Sequence, residues 1–157
     1  MKKYLRQLHL FLIRLNDAQL ILLFVILNIL NSFACTAISF FFTQTGIKNH
    51  TLTELNSGNE FLVAVILAPV IETLIFQYAL IETIRQKVKP FYACLISASV
   101  FALAHIYSPY YVLFAFVSGL LFGYLYLSRK SVLRACLLVL IAHASYNYIV
   151  YLDSSLQ

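Results

Sequence analysis

Charged side chains make up only 11% of the 157 residues, with six Asp and Glu in all, and this scarcity argues against a soluble fold. A soluble domain carries about 25% charged and about 45–50% apolar residues. This chain is 62% apolar with a mean hydropathy of +0.86, more than one core of its length can bury. Four glycines and three prolines leave little material for linkers, collagen-like repeats, disorder or a separate soluble catalytic domain, so one domain over 1–157 is expected. The three cysteines, Cys35, Cys94 and Cys136, are odd in number, far apart and each inside an apolar run. That excludes a disulfide framework and a CxxC metal pair, and leaves them as small core residues. What is abundant is apolar sequence, so the expected fold is all-α, a polytopic transmembrane helical bundle. The formal charge of +5 is then a topology signal, with the lipid bilayer and not nucleic acid as the partner.

Five stretches are candidates to cross a bilayer core that needs about 20 apolar residues: 18–42, 61–81, 91–107, 110–127 and 132–152. The connector 43–60 is polar and holds Gly46, Asn56, Ser57 and Gly58, all turn formers. Ser108-Pro109 splits the third span from the fourth, because proline lacks a backbone donor and ends a helix. Basic residues fall at Lys2, Lys3, Arg6 and Arg14, then Arg85, Lys87 and Lys89, then Arg129, Lys130 and Arg134. With five spans these occupy the N-terminus and every second loop, which the positive-inside rule reads as a multi-pass cell-membrane protein with a cytoplasmic N-terminus. Tyr107, Tyr110 and Tyr111 would then form an outer aromatic belt, and Tyr124 and Tyr126 an inner one. Residues 1–17 place Leu5, Leu8, Leu12 and Leu15 opposite Lys2, Lys3, Arg6 and Arg14, the pattern of an amphipathic helix on the inner leaflet or of a solvated start to the first span. The apolar run behind them exceeds the 7–15 residues of a signal-peptide core, so it is expected to remain as a helix.

Four polar residues are left at membrane depth: Glu72, His105, His143 and Asn147. A carboxylate at a helix centre costs on the order of 2.5–3.5 kcal/mol, so such groups face protein or water and carry function by default. Any one of them alone fits an interhelical hydrogen bond of about 1 kcal/mol, the reading given to Asn28 and Asn31. His143 and Asn147 are four apart and share a helix face, as do Phe101 and His105. Pro69 stands three residues before Glu72 and disturbs the helix there. Glu82 and Arg85, one turn apart at a helix end, read as a surface ion pair. A carboxylate with an imidazole can deprotonate a water, and a second imidazole with a carboxamide can hold the oxyanion formed at a carbonyl. Glu72, His105 and His143 are also the ligand types of some catalytic zinc sites, so spacing leaves metal use open.

Three segments resemble the CAAX-protease and bacteriocin-processing (CPBP, or Abi) family of intramembrane proteases. They are Ala68-Pro69-Val70-Ile71-Glu72-Thr73-Leu74-Ile75-Phe76-Gln77, Phe101-Ala102-Leu103-Ala104-His105 and Ala142-His143-Ala144-Ser145-Tyr146-Asn147. They are similar to the family's EExxxR, FxxxH and HxxxN motifs, in order and each on its own expected helix. The likeness covers a core of 68–148. It implies that Glu72 and His105 activate the attacking water and that His143 and Asn147 form the oxyanion site. The substrate it implies is a peptide or protein cut at the membrane. Two positions depart: the second Glu is Thr73 and the Arg is Gln77. Losing both is coherent, since one member of a buried ion pair cannot be left alone. A neutral hydrogen bond between Thr73 and Gln77 is the expected replacement, with both residues and Phe101 in supporting roles.

The leading expectation is an intramembrane endopeptidase acting on a membrane-associated or lipidated peptide or protein. Its alternative is a non-catalytic bacteriocin-immunity or regulatory membrane protein of the same fold, favoured by Thr73 and Gln77. A proton-coupled carrier is weaker, because no internal repeat is visible. Ala115, Gly119 and Gly123 form a small-residue stripe read as close helix packing.

Overall fold

The computed structural model describes Gln7 and residues 10–12, 14–46 and 59–155, with side chains up to Asp153. Five long helices stand among them: α1 (Asp17–Thr43), α2 (Leu62–Ile84), α3 (Pro90–Leu103), α4 (Pro109–Leu127) and α5 (Val132–Ser155). The described residues contain no strand, and the chain is a polytopic all-α bundle. The expected interfacial helix over 1–17 lies largely outside the described residues, as does most of the connector 43–60.

Local chemistry sets the helix ends. Asn16 starts α1 through a capping box, its Oδ1 accepting from the Gln19 N–H at 2.9 Å while Gln19 Oε1 accepts from the Asn16 N–H at 3.0 Å. Gln44 closes α1 in the left-handed region at φ 58°. The expected third span, 91–107, is shorter as a helix. Among the described residues four helices are long and apolar enough to cross a membrane, whereas α3 has 14 residues and ends at Leu103. At about 1.5 Å per residue it falls well short of a core about 30 Å thick. Pro109 bars the helix from running on through residue 108. The residue before a proline is driven out of the helical region, and Ser108 is extended at φ −156°, ψ 160° while its side chain caps α4 by accepting from the Tyr111 N–H at 3.1 Å. Residues 104–107 form a turn, and His105 sits in it.

The core joins Leu20 and Phe24 of α1, Ile81 of α2, Ala93 of α3, Phe122 of α4 and Val139 of α5. The small-residue stripe on α4 brings α3 close. A Cβ on Gly119 would lie 2.9 Å from Ala98 Cα, and one on Gly123 would lie 2.6 Å from Cys94 Sγ. Asn31 donates to Phe114 O at 3.0 Å and Ser118 Oγ at 3.1 Å, so it is the interhelical hydrogen bond expected of it. Asn28 instead turns back on its own helix, donating to Phe24 O at 2.9 Å.

Among the described residues, Arg85, Arg129 and Arg134 lie at one end of the bundle. Asp17 of α1 bridges Arg129 at 3.1 Å and Arg134 at 2.7 Å, across the α4–α5 turn. Glu82 of α2 pairs with Arg85 at 2.7 Å, as expected, and also accepts from Tyr126 Oη at 2.6 Å. Tyr126 is thus not an interfacial belt residue: it is fully buried, because its hydroxyl has an anionic acceptor inside the bundle.

Candidate active site

Helix α2 is built from short α-helical pieces alternating with π-helical stretches at Leu62–Leu67 and Thr73–Leu80. Pro69 explains the first stretch. The Ala68 N–H reaches back five residues to Val63 O, so in the same register the Ala64 carbonyl would take its bond from residue 69, a proline with no N–H. The missing donor is supplied from α5: Asn147 Nδ2 donates to Ala64 O at 2.8 Å. In the second stretch the Phe76 carbonyl accepts from Ser97 Oγ of α3 at 2.7 Å. Glu72 ends the α-helical piece between the two, held where the helical register changes.

The Glu72 carboxylate faces both histidines. Oε1 is 3.7 Å from His105 Nε2, and Oε2 is 3.6 Å from His143 Nε2. Both separations exceed a hydrogen bond, yet all three side chains are mostly buried, with 22%, 16% and 6% of Glu72, His105 and His143 exposed.

The second nitrogens of the two rings differ. His105 Nδ1 is 2.7 Å from Phe101 O, and a carbonyl only accepts, so Nδ1 carries a proton there. In the neutral ring Nε2 then turns a lone pair toward Glu72. His143 Nδ1 is buried with no hydrogen-bond partner, which favours the tautomer with its proton on Nε2. One imidazole thus offers the carboxylate an acceptor and the other a donor.

Aromatic rings fix these orientations. Phe101 lies 4.5 Å from the His105 ring and 6.4 Å from that of His143, between centroids. Phe122 stacks on His143 at 4.6 Å and Tyr111 on His105 at 6.0 Å. From sequence Tyr111 was read as an outer-belt residue, whereas it stacks on His105, and Phe122 was not singled out. Tyr111 had a weak signal in its place two residues past Ser108-Pro109, whereas Phe122 is one more apolar residue in an apolar span.

The structure therefore gathers Glu72, His105, His143 and Phe101. It gives Asn147 a backbone partner on α2, one turn along α5 from His143. The neutral bond expected between Thr73 and Gln77 is not formed: Thr73 Oγ1 and both amide heteroatoms of Gln77 are buried without a hydrogen-bond partner. Both residues lie in the second π-helical stretch, whose i→i+5 register alters the angular relation that an α-helix gives to positions four apart. Among the described residues no three His, Cys, Asp or Glu side chains are grouped so as to hold a metal ion, although a carboxylate and two imidazoles are ligand types that zinc takes.

A polytopic helical bundle with a carboxylate and two imidazoles converging between its helices has the form of a membrane-embedded protein with a polar site among apolar helices. The chain belongs to the type II CAAX prenyl endopeptidase Rce1-like family, whose sequence profile matches residues 56–149, from ahead of α2 into the last turns of α5. Membership makes it, at the level of the family, a membrane protease of CAAX type. No curated protein and no solved structure matches the chain.

Proposed function

We propose that the protein is an intramembrane endopeptidase that hydrolyses a peptide bond of a membrane-associated or lipidated peptide or protein. The observation that carries this reading is the Glu72 carboxylate set between the imidazoles of His105 and His143. A water between Glu72 Oε1 and His105 Nε2 donates to both acceptors, which directs an oxygen lone pair outward. Attack on the substrate carbonyl forms a C–O bond as the water proton passes to this pair. His143 Nε2–H holds the developing oxyanion, and Asn147 adds the amide hydrogen not spent on Ala64. Collapse breaks the C–N bond, and the proton held by the pair moves to the leaving amine. The chain works as one transmembrane domain with 68–148 as catalytic core, 1–17 on the inner leaflet and the N-terminus in the cytoplasm.

The test compares peptide products in membranes carrying the native chain or Glu72→Gln. Substrate processed by the native chain and untouched by the variant is expected. Processing at equal rates would remove the Glu72 scheme. The alternative, a non-catalytic immunity or regulatory protein that binds a peptide in this fold, draws on the uncharged Thr73 and Gln77 and on the Asn147 amide engaged by Ala64. It predicts peptide binding without products from either chain.

A further inference from the structure

At the end of the bundle that carries the Asp17 bridge, a cavity of about 490 Å³ is lined by Leu15, Ser128, Arg129, Lys130, Ser131 and Arg134. We propose that it binds the phosphate group of an anionic phospholipid. Three cations line it, and the Asp17 carboxylate beside it bonds two of them, which leaves an excess of two positive charges. Arg129 is the scaffold. Only 11% of its side chain is exposed, its Nε is on Asp17 and its Nη2 donates to Leu15 O at 2.7 Å. Lys130 takes part in none of these bonds and is exposed, and Arg134 spends its Nε on Asp17 while its side chain stays 57% exposed. These two present cationic donors to a phosphate, with the fork of Arg134 suited to two phosphate oxygens. Ser131 adds a hydroxyl: its Oγ accepts from the Arg134 N–H at 3.4 Å, which leaves its own hydrogen to donate.

Place and shape select a lipid over a free anion. The cavity lies where α1 begins and α4 gives way to α5, three of the helices long enough to span, and so at headgroup level. Basic pockets between transmembrane helices at that level suit anionic headgroups. From it Leu133, Leu137 and Ile141 run along α5 at four-residue spacing, 71%, 47% and 47% exposed, an apolar track for an acyl chain whose phosphate sits beside Arg134. Inorganic phosphate shares the charge and lacks the tail.

The experiment uses the full chain purified in detergent, with retained phosphatidylglycerol and phosphatidylcholine of equal chain length counted by native mass spectrometry. Preferential retention of phosphatidylglycerol is expected. It should fall about fivefold for each cation removed, in Lys130→Gln and further in Lys130→Gln/Arg134→Gln. Lys87→Gln/Lys89→Gln removes two exposed cations from the neighbouring loop and should leave the preference intact. Equal retention of the two lipids, or equal loss in the Lys87/Lys89 variant, would overturn the proposal. So would displacement of the lipid by millimolar inorganic phosphate, which would make this an anion site without lipid selection. If the double variant does not fold, Lys130→Gln alone decides, since Lys130 lies outside the Asp17 bridge; unchanged preference in it also overturns the site.

Discussion

Glu72 and Glu82 stand ten residues apart on α2 and differ in how they are held. Glu82 is closed: Arg85 at 2.7 Å and Tyr126 Oη at 2.6 Å take both carboxylate oxygens into bonds within the protein. Glu72 is open: its oxygens stop 3.6–3.7 Å from two imidazoles, outside hydrogen-bond reach, although its side chain is no more exposed than that of Glu82, each at 22%. A carboxylate whose bonds are complete contributes to structure, whereas one aimed at two partners that it does not reach can accept a third molecule. The same contrast separates Asn147, which completes a backbone bond that Pro69 cannot make, from Thr73 and Gln77, whose buried polar atoms meet no partner.

Substitutions can break or sharpen this comparison. The largest effect should come from Glu72→Gln or His105→Ala, which remove the proton-accepting pair and should slow peptide hydrolysis by about 10²–10⁴-fold while the protein still inserts and folds. Native turnover in either would collapse the distinction between the two glutamates. His143→Ala should reduce the rate by about 10²–10³-fold, the usual cost of one oxyanion donor. A change confined to KM would make it a binding residue instead.

The remaining effects concern stability. Gly119→Ala should destabilise the bundle by about 1–3 kcal/mol, because the new methyl meets the α3 backbone at Ala98 and must push Phe101. Thermal unfolding in detergent reads that loss, and an unchanged midpoint would show that the helices part easily. Asn147→Ala should cost about 1–3 kcal/mol by leaving Ala64 O unpaired, and unaltered stability would return Asn147 to a purely catalytic assignment. The smallest effect is expected from Glu82→Gln, about 0.2–1 kcal/mol with hydrolysis unchanged, as for a pair at a helix end. A catalytic defect there would contradict the idea that its bonds are complete.

Much of the site was legible in the sequence because charge is costly in a bilayer. Glu72, His105 and His143 stood out as polar groups in apolar runs, and the structure brings them together from α2, the α3–α4 turn and α5. The backbone partner of Asn147 was not legible. Its anticipated place beside His143 assumed that four-residue spacing settles a side chain's target, and the target proved to be a carbonyl 83 residues away. Pro69 carried that signal, but the carbonyl it orphans depends on the π register, which periodicity does not reveal. Tyr126 was misplaced for a related reason: an aromatic near a span's end reads as interfacial unless its hydroxyl partner, 44 residues away, is known.

Composition and hydropathy by themselves determined that this chain is a helical membrane protein, because a bilayer admits only segments whose backbone bonds are internally satisfied. Motif spacing determined which ionisable residues face the bundle interior. Tertiary structure decided the state of each: which carboxylate is closed, which imidazole nitrogen holds its proton, and which amide replaces a missing N–H. Phe101 O fixes the His105 proton from within the same segment, but the Tyr126–Glu82 and Asn147–Ala64 bonds join different helices at about 3 Å, the reach of a hydrogen bond, and the order of residues along one helix does not specify what a neighbouring helix presents.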